Sequence, residues 1–165
     1  MNSFPVEQAW HMFRNSVRLK QKGIKKYDGD AREICSAIVN DCWNGRYFQT
    51  STTHFAQFWT RDFGWCTESL LKLGYKEEVR ATLDFALSIF KKYDKITTTI
   101  GLFGKPFDFP TQSVDSVPYL IHSLALLKDL EILDRYRDFL EKETMRFTSR
   151  FIGPNGHKTS RGLVR

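Results

Sequence analysis

Apolar residues recur at helical spacing over most of this chain. In residues 6–20, Val6, Ala9, Trp10, Phe13 and Val17 follow the i, i+3, i+4 rhythm, and Pro5 suits the first turn of the same helix. A second helix is predicted ahead of Gly45, where Asp30 and Glu33 form a D-x-x-E capping box before Ile34, Ala37, Ile38 and Cys42. A third runs from about Asp62 to Leu73 with Gly74 as its stop. A fourth runs from about Lys76 to Tyr93, with Val79, Leu83, Ala86 and Phe90 along one side. These two read as a helical hairpin.

Residues 95–113, rich in Thr, Gly, Pro and Phe, suit a loop with two short strands. Asp115 then opens a second hairpin, with Pro118 in its first turn, and a charged helix follows in which Glu131/Arg135 and Asp138/Lys142 stand at the supportive i, i+4 spacing. The acids that open the two hairpins recur with a weak repeat. If consecutive helices alternate in direction, the helices starting at Asp62 and Asp115 are parallel, and both acids face one end of the bundle. Helix N-termini carry unpaired N–H groups and partial positive charge, which hold a carboxylate ionised there.

Composition changes the picture little. A chain of 165 residues with 15% aromatic and 27% charged residues is that of one folded domain, expected to span residues 1–165. The net charge of +6 is concentrated at the two ends, away from the aromatic middle, which argues against a nucleic-acid footprint. Cys35, Cys42 and Cys66 form no CxxC pair, so neither a metal site nor a cofactor is expected. No export signal and no apolar run long enough to span a membrane is read in the sequence, so a cytoplasmic protein without a membrane partner is expected.

The candidate chemistry lies in "HFAQFWTRDFGW", residues 54–65. Adjacent Arg61 and Asp62 inside an aromatic segment are costly to bury without partners or a ligand. Arg, Asp and Trp together suit a sugar: charged bidentate groups bind hydroxyls, and indole rings stack on apolar C–H faces. His54 stands at the start of the segment and is a candidate for the same face. Trp65 and His122 are assigned to the core, and Asp108 to a turn.

Residues Trp59, Thr60, Arg61 and Asp62 resemble the W-T-R-D stretch of the six-hairpin glycosidases, in the glucoamylase-like branch, and "DSVPYLIHSL" is similar to inner-helix starts of the same superfamily. The resemblance implies an all-α fold of antiparallel helical hairpins closed into an (α/α) toroid. It also implies hydrolysis of glucosidic bonds with inversion, in which Arg61 and Asp62 grip sugar hydroxyls and Trp59 walls the subsite. In the neutral-invertase branch an Asp-Ser at such a helix start is the proton donor, which makes Asp115 the candidate catalytic acid.

About six helices fit in this chain, half of the twelve in a complete ring, and no general base is identified. The partners expected are therefore a glucan or oligosaccharide substrate, together with a second copy or a missing C-terminal half that completes the toroid. A non-catalytic carbohydrate-binding or regulatory half-toroid is the alternative.

Overall fold

The computed structural model describes residues 4–23, 25–53, 55–109 and 113–151. Among these, six helices and one small sheet are formed: α1 (Phe4–Lys22), α2 (Ala31–Cys42), β1 (Phe58–Trp59), α3 (Thr60–Lys72), α4 (Lys76–Lys92), β2 (Thr99–Ile100), β3 (Pro106–Phe107), α5 (Ser116–Leu127) and α6 (Leu130–Phe151). The molecule is thus mostly helical, as expected, with a three-stranded antiparallel sheet added.

Local chemistry sets the boundaries. The Asp30 carboxylate accepts from the backbone N–H groups of Arg32 and Glu33, and Glu33 accepts in return from Asp30 N–H, completing the capping box of α2. At the end of α3, Gly74 takes φ +95°, and the N–H groups of Gly74 and Tyr75 donate to Leu71 and Leu70. This Schellman closure turns the chain directly into α4. Asp94 closes α4 the same way with φ +54°, and its carboxylate is held by Lys142 and Arg146 of α6. Lys142 therefore pairs across to α4 and not with Asp138 as the spacing suggested, whereas Glu131 and Arg135 do pair, at 2.6 Å.

Helix α3 begins at Thr60, two residues before the expected Asp62. The reason is β1: Thr60 N–H donates to Thr98 C=O, and its hydroxyl donates to Thr97 C=O at 2.7 Å, so the chain leaves the sheet already turning. In the sheet, Phe58 pairs with Ile100 and Trp59 with Thr99, and Thr99 pairs in turn with Phe107. Asp108 accepts from Lys95 Nζ and pins the last strand back on the first residues after α4.

The core is built from α3 to α6 and the central strand. Phe58, Val79, Leu83, Phe90, Ile100, Leu120, Leu124 and Ile132 are fully enclosed. Helices α3 and α5 make the most extensive contact. Arg61 meets Asp115, Gly64 meets Tyr119 and Thr67 meets Ser123, a register that rises together on both helices, so α3 and α5 are parallel. Gly64 is the point of closest approach; a Cβ there would lie 2.6 Å from Tyr119 Cβ.

Candidate functional site

Because α3 and α5 are parallel neighbours, their N-terminal turns open side by side. Arg61, the second residue of α3, reaches the Asp115 carboxylate at the cap of α5, with Nη1 to Oδ2 3.8 Å. Both side chains meet solvent, 55% and 32% exposed, so the pair escapes the burial cost that the aromatic surroundings suggested. The other Asp115 oxygen accepts from the Ser113 hydroxyl.

One turn further along, the same face carries Trp65 on α3 and Tyr119 on α5. Their rings lie 5.6 Å apart and tilted 33°. Trp65 is 68% exposed, which corrects its assignment to the core: Gly64 and Thr67 take the buried positions on α3, and Trp65 lies outside the arc they define. His122, also assigned to the core, is exposed on α5 because the buried face of that helix is made by Leu120, Ser123, Leu124 and Leu127. The outer α3/α5 face thus presents an ion pair and then an aromatic pair, each pair contributed by one residue from each helix.

Trp59 caps α3 from the end of β1. Its half-buried indole packs edge-on against Phe55 and Phe109, with ring centroids 5.7 and 6.2 Å away. Among the described residues two buried side-chain polar atoms have no hydrogen-bond partner, Trp59 Nε1 and Ser116 Oγ. One sits at the start of α3 and the other at the start of α5. An unmade bond of this kind costs about 1–3 kcal/mol.

Asp62 faces elsewhere. Successive helical residues are about 100° apart, so while Arg61 points to α5, Asp62 points toward α2. There it lines a depression of about 190 Å3 with Val39, Cys42, Phe48, Phe63 and Cys66. It is a first-turn residue and not the N-cap, favourable to the helix dipole. Desolvation by the apolar walls pushes the Cys42 and Cys66 thiols up, and the Asp62 charge raises Cys66 further. Both are thereby disfavoured as thiolate nucleophiles at neutral pH.

The structure therefore brings Trp59, Arg61 and Asp115 to one end of the α3/α5 pair and places Asp62 on the adjoining flank. His54 and the basic tail after Phe151 lie outside the described residues. Ser113, Ser116, Trp65 and Tyr119 were not singled out as site residues from sequence, although a signal existed: Arg61/Trp65 and Asp115/Tyr119 share one i, i+4 spacing. Among the described residues no group of three or more His, Cys, Asp or Glu side chains is placed to hold a metal ion. No protein-family model, no curated protein and no solved structure matches this chain.

Proposed function

We propose that this chain is a glycoside hydrolase of the six-hairpin type, about half of an (α/α) toroid, whose α3/α5 end binds a glucoside. The observation that carries this reading is an exposed Arg61–Asp115 pair and two unpartnered polar atoms at that end, with the exposed Trp65 indole one turn further along the same face. A pyranose needs those three things: charged groups for vicinal hydroxyls, further donors and acceptors, and a flat apolar surface. The parallel α3 and α5, each followed by a returning helix, support two neighbouring hairpins of such a ring.

In this reading Arg61 and Asp115 hold hydroxyl groups between the helix ends, while Asp62, on the α2 flank, faces away from that ligand. Trp59 donates Nε1–H to it. Phe55 and Phe109 cover the Trp59 ring edge-on, so a sugar reaching Nε1 displaces one of them. Asp115 is the proton donor, with the general base supplied by a second copy or by further hairpins of a longer chain.

A specific observation favours the second reading, a non-catalytic glucan-binding module. Asp115 accepts from Ser113 at one oxygen and faces Arg61 at the other, an arrangement that orients a binding carboxylate. Turnover separates the two. A hydrolase releases glucose from maltotriose or isomaltose, faster than linearly in protein if copies complete the site, and loses that activity in Asp115→Asn. A module binds the same sugars without releasing glucose. If the protein neither binds nor cleaves them, both readings fail.

A further inference from the structure

Helix α1 is turned inside out relative to the usual amphipathic helix. Val6, Trp10, Phe13 and Val17 fall within about 60° of one another around its axis, and they are 72%, 59%, 60% and 38% exposed. Asn15, about 170° round the helix from the centre of that stripe, is the buried one among the described side chains of α1, and its amide donates to Thr53 C=O. The polar side of α1 is thus fixed to the body of the protein and the apolar side faces away from it. Trp10 and Phe13 stack on each other, 6.0 Å apart, in the middle of the stripe.

The charge beside this stripe is mainly basic, with Glu7 the one acid in the sequence of α1. From Arg14 to Lys26 the sequence carries Arg14, Arg18, Lys20, Lys22, Lys25 and Lys26 and no acid. Arg14 lies about 70° to one side of the stripe and Lys20 about 50° to the other, both exposed. Of these cations, Lys25 has a partner in Asp41.

We propose that α1 lies on an anionic lipid surface, with Trp10, Phe13, Val6 and Val17 entering the headgroup boundary and the flanking cations meeting lipid phosphates and carboxylates. An outward apolar stripe bordered by Lys and Arg is what an interfacial helix requires, and aromatic side chains are the residues that such a boundary favours. The helix lies on the membrane and does not cross it; among the described residues no helix is long and apolar enough to cross one.

A second copy fits the stripe less well. Four side chains of this size offer roughly 400–500 Å2 per copy, against about 800 Å2 per partner in a stable interface. Pairing two copies also leaves the cations beside the stripe without a counter-charge.

The test is co-flotation of the whole protein with vesicles of phosphatidylcholine containing 30% phosphatidylserine, and with pure phosphatidylcholine, in 0.15 M salt. Each sample is also run in sedimentation equilibrium without lipid. The protein is expected to float with the anionic vesicles only. Binding is expected to fall about tenfold or more when Trp10 and Phe13 are both changed to Ser, and several-fold when Arg14 and Lys20 are changed to Gln. These side chains are exposed, so circular dichroism should report an unchanged fold.

Absence of flotation with anionic vesicles overturns the proposal. So does flotation that the Trp10→Ser/Phe13→Ser variant retains in full, since charge alone then explains it. A dimer that forms without lipid and is lost in that same variant overturns it in favour of a second copy.

Discussion

Replacing Gly64 by Ala tests the link between packing and site most closely. The added Cβ would lie 2.6 Å from Tyr119 Cβ, 3.0 Å from Cδ1 and 3.1 Å from Cγ. The first of these atoms is fixed to the α5 backbone, so rotating the ring does not relieve the clash, and α5 must retreat by about 1 Å to restore ordinary contact. Overpacking of this kind costs about 1–3 kcal/mol, and Ala in place of a helical Gly returns about 1 kcal/mol.

The net expectation is a loss of up to about 2 kcal/mol, or up to about 8 °C in melting temperature for a chain of this length. The same retreat widens the Arg61–Asp115 gap beyond 3.8 Å, so sugar affinity should fall as well. Gly74→Ala is the control. It strains a residue at φ +95° with no atom within 4 Å of the new Cβ, so it should lower stability in urea unfolding and leave affinity unchanged. A Gly64→Ala protein about 1 kcal/mol more stable than wild type, the bare helical gain with no clash, would refute the close approach of α3 and α5.

Three further outcomes follow from single contacts. Phe109→Ala uncovers an edge of Trp59 and should tighten sugar binding, measured by calorimetry, because the ligand no longer displaces that ring. Glu143 is buried and accepts from Ile96 N–H at 2.9 Å and from Arg146 at 2.6 Å. Glu143→Leu leaves that N–H unpaired in the core and should cost about 1–3 kcal/mol in urea unfolding, while Glu143→Gln, which keeps an acceptor, should cost less. Asp129 is held below its ordinary carboxylate value, first by the Ile132 N–H and next by Arg80. Its contribution to stability is therefore complete above about pH 4 and is lost as pH falls through the lower folded value. Asp129→Asn should flatten that part of the acid limb in melting curves taken from pH 7 to pH 2.

The features legible in the sequence were those written in local chemistry. The Asp30/Glu33 capping box and the Gly74 stop need only neighbours in the chain, and the α3/α4 hairpin follows from the second of them. The parallel pairing of α3 and α5 was also legible, because alternating antiparallel helices leave no other arrangement. What was not legible depends on which face another element covers. Trp65 and His122 look apolar-sided in sequence, yet the α3/α5 seam is made by Gly64, Thr67, Tyr119 and Ser123. The start of α3 was misplaced for a similar reason, since β1 is a two-residue strand defined only by its pairing with residues 99–100. Asp62 was read together with Arg61 because they are adjacent, and adjacency on a helix sends two side chains to different neighbours.

The central claim is that the α3/α5 end binds a sugar through Arg61. Calorimetric titration of the protein with maltotriose and with isomaltose, beside Arg61→Ala and the distant control Arg80→Ala, tests it most directly. Saturable binding of at least one sugar is expected for the wild type and for Arg80→Ala, weakened about tenfold or more in Arg61→Ala by loss of a charged hydrogen-bonding group. Absence of binding at millimolar sugar, or binding that Arg61→Ala leaves unchanged, would contradict it.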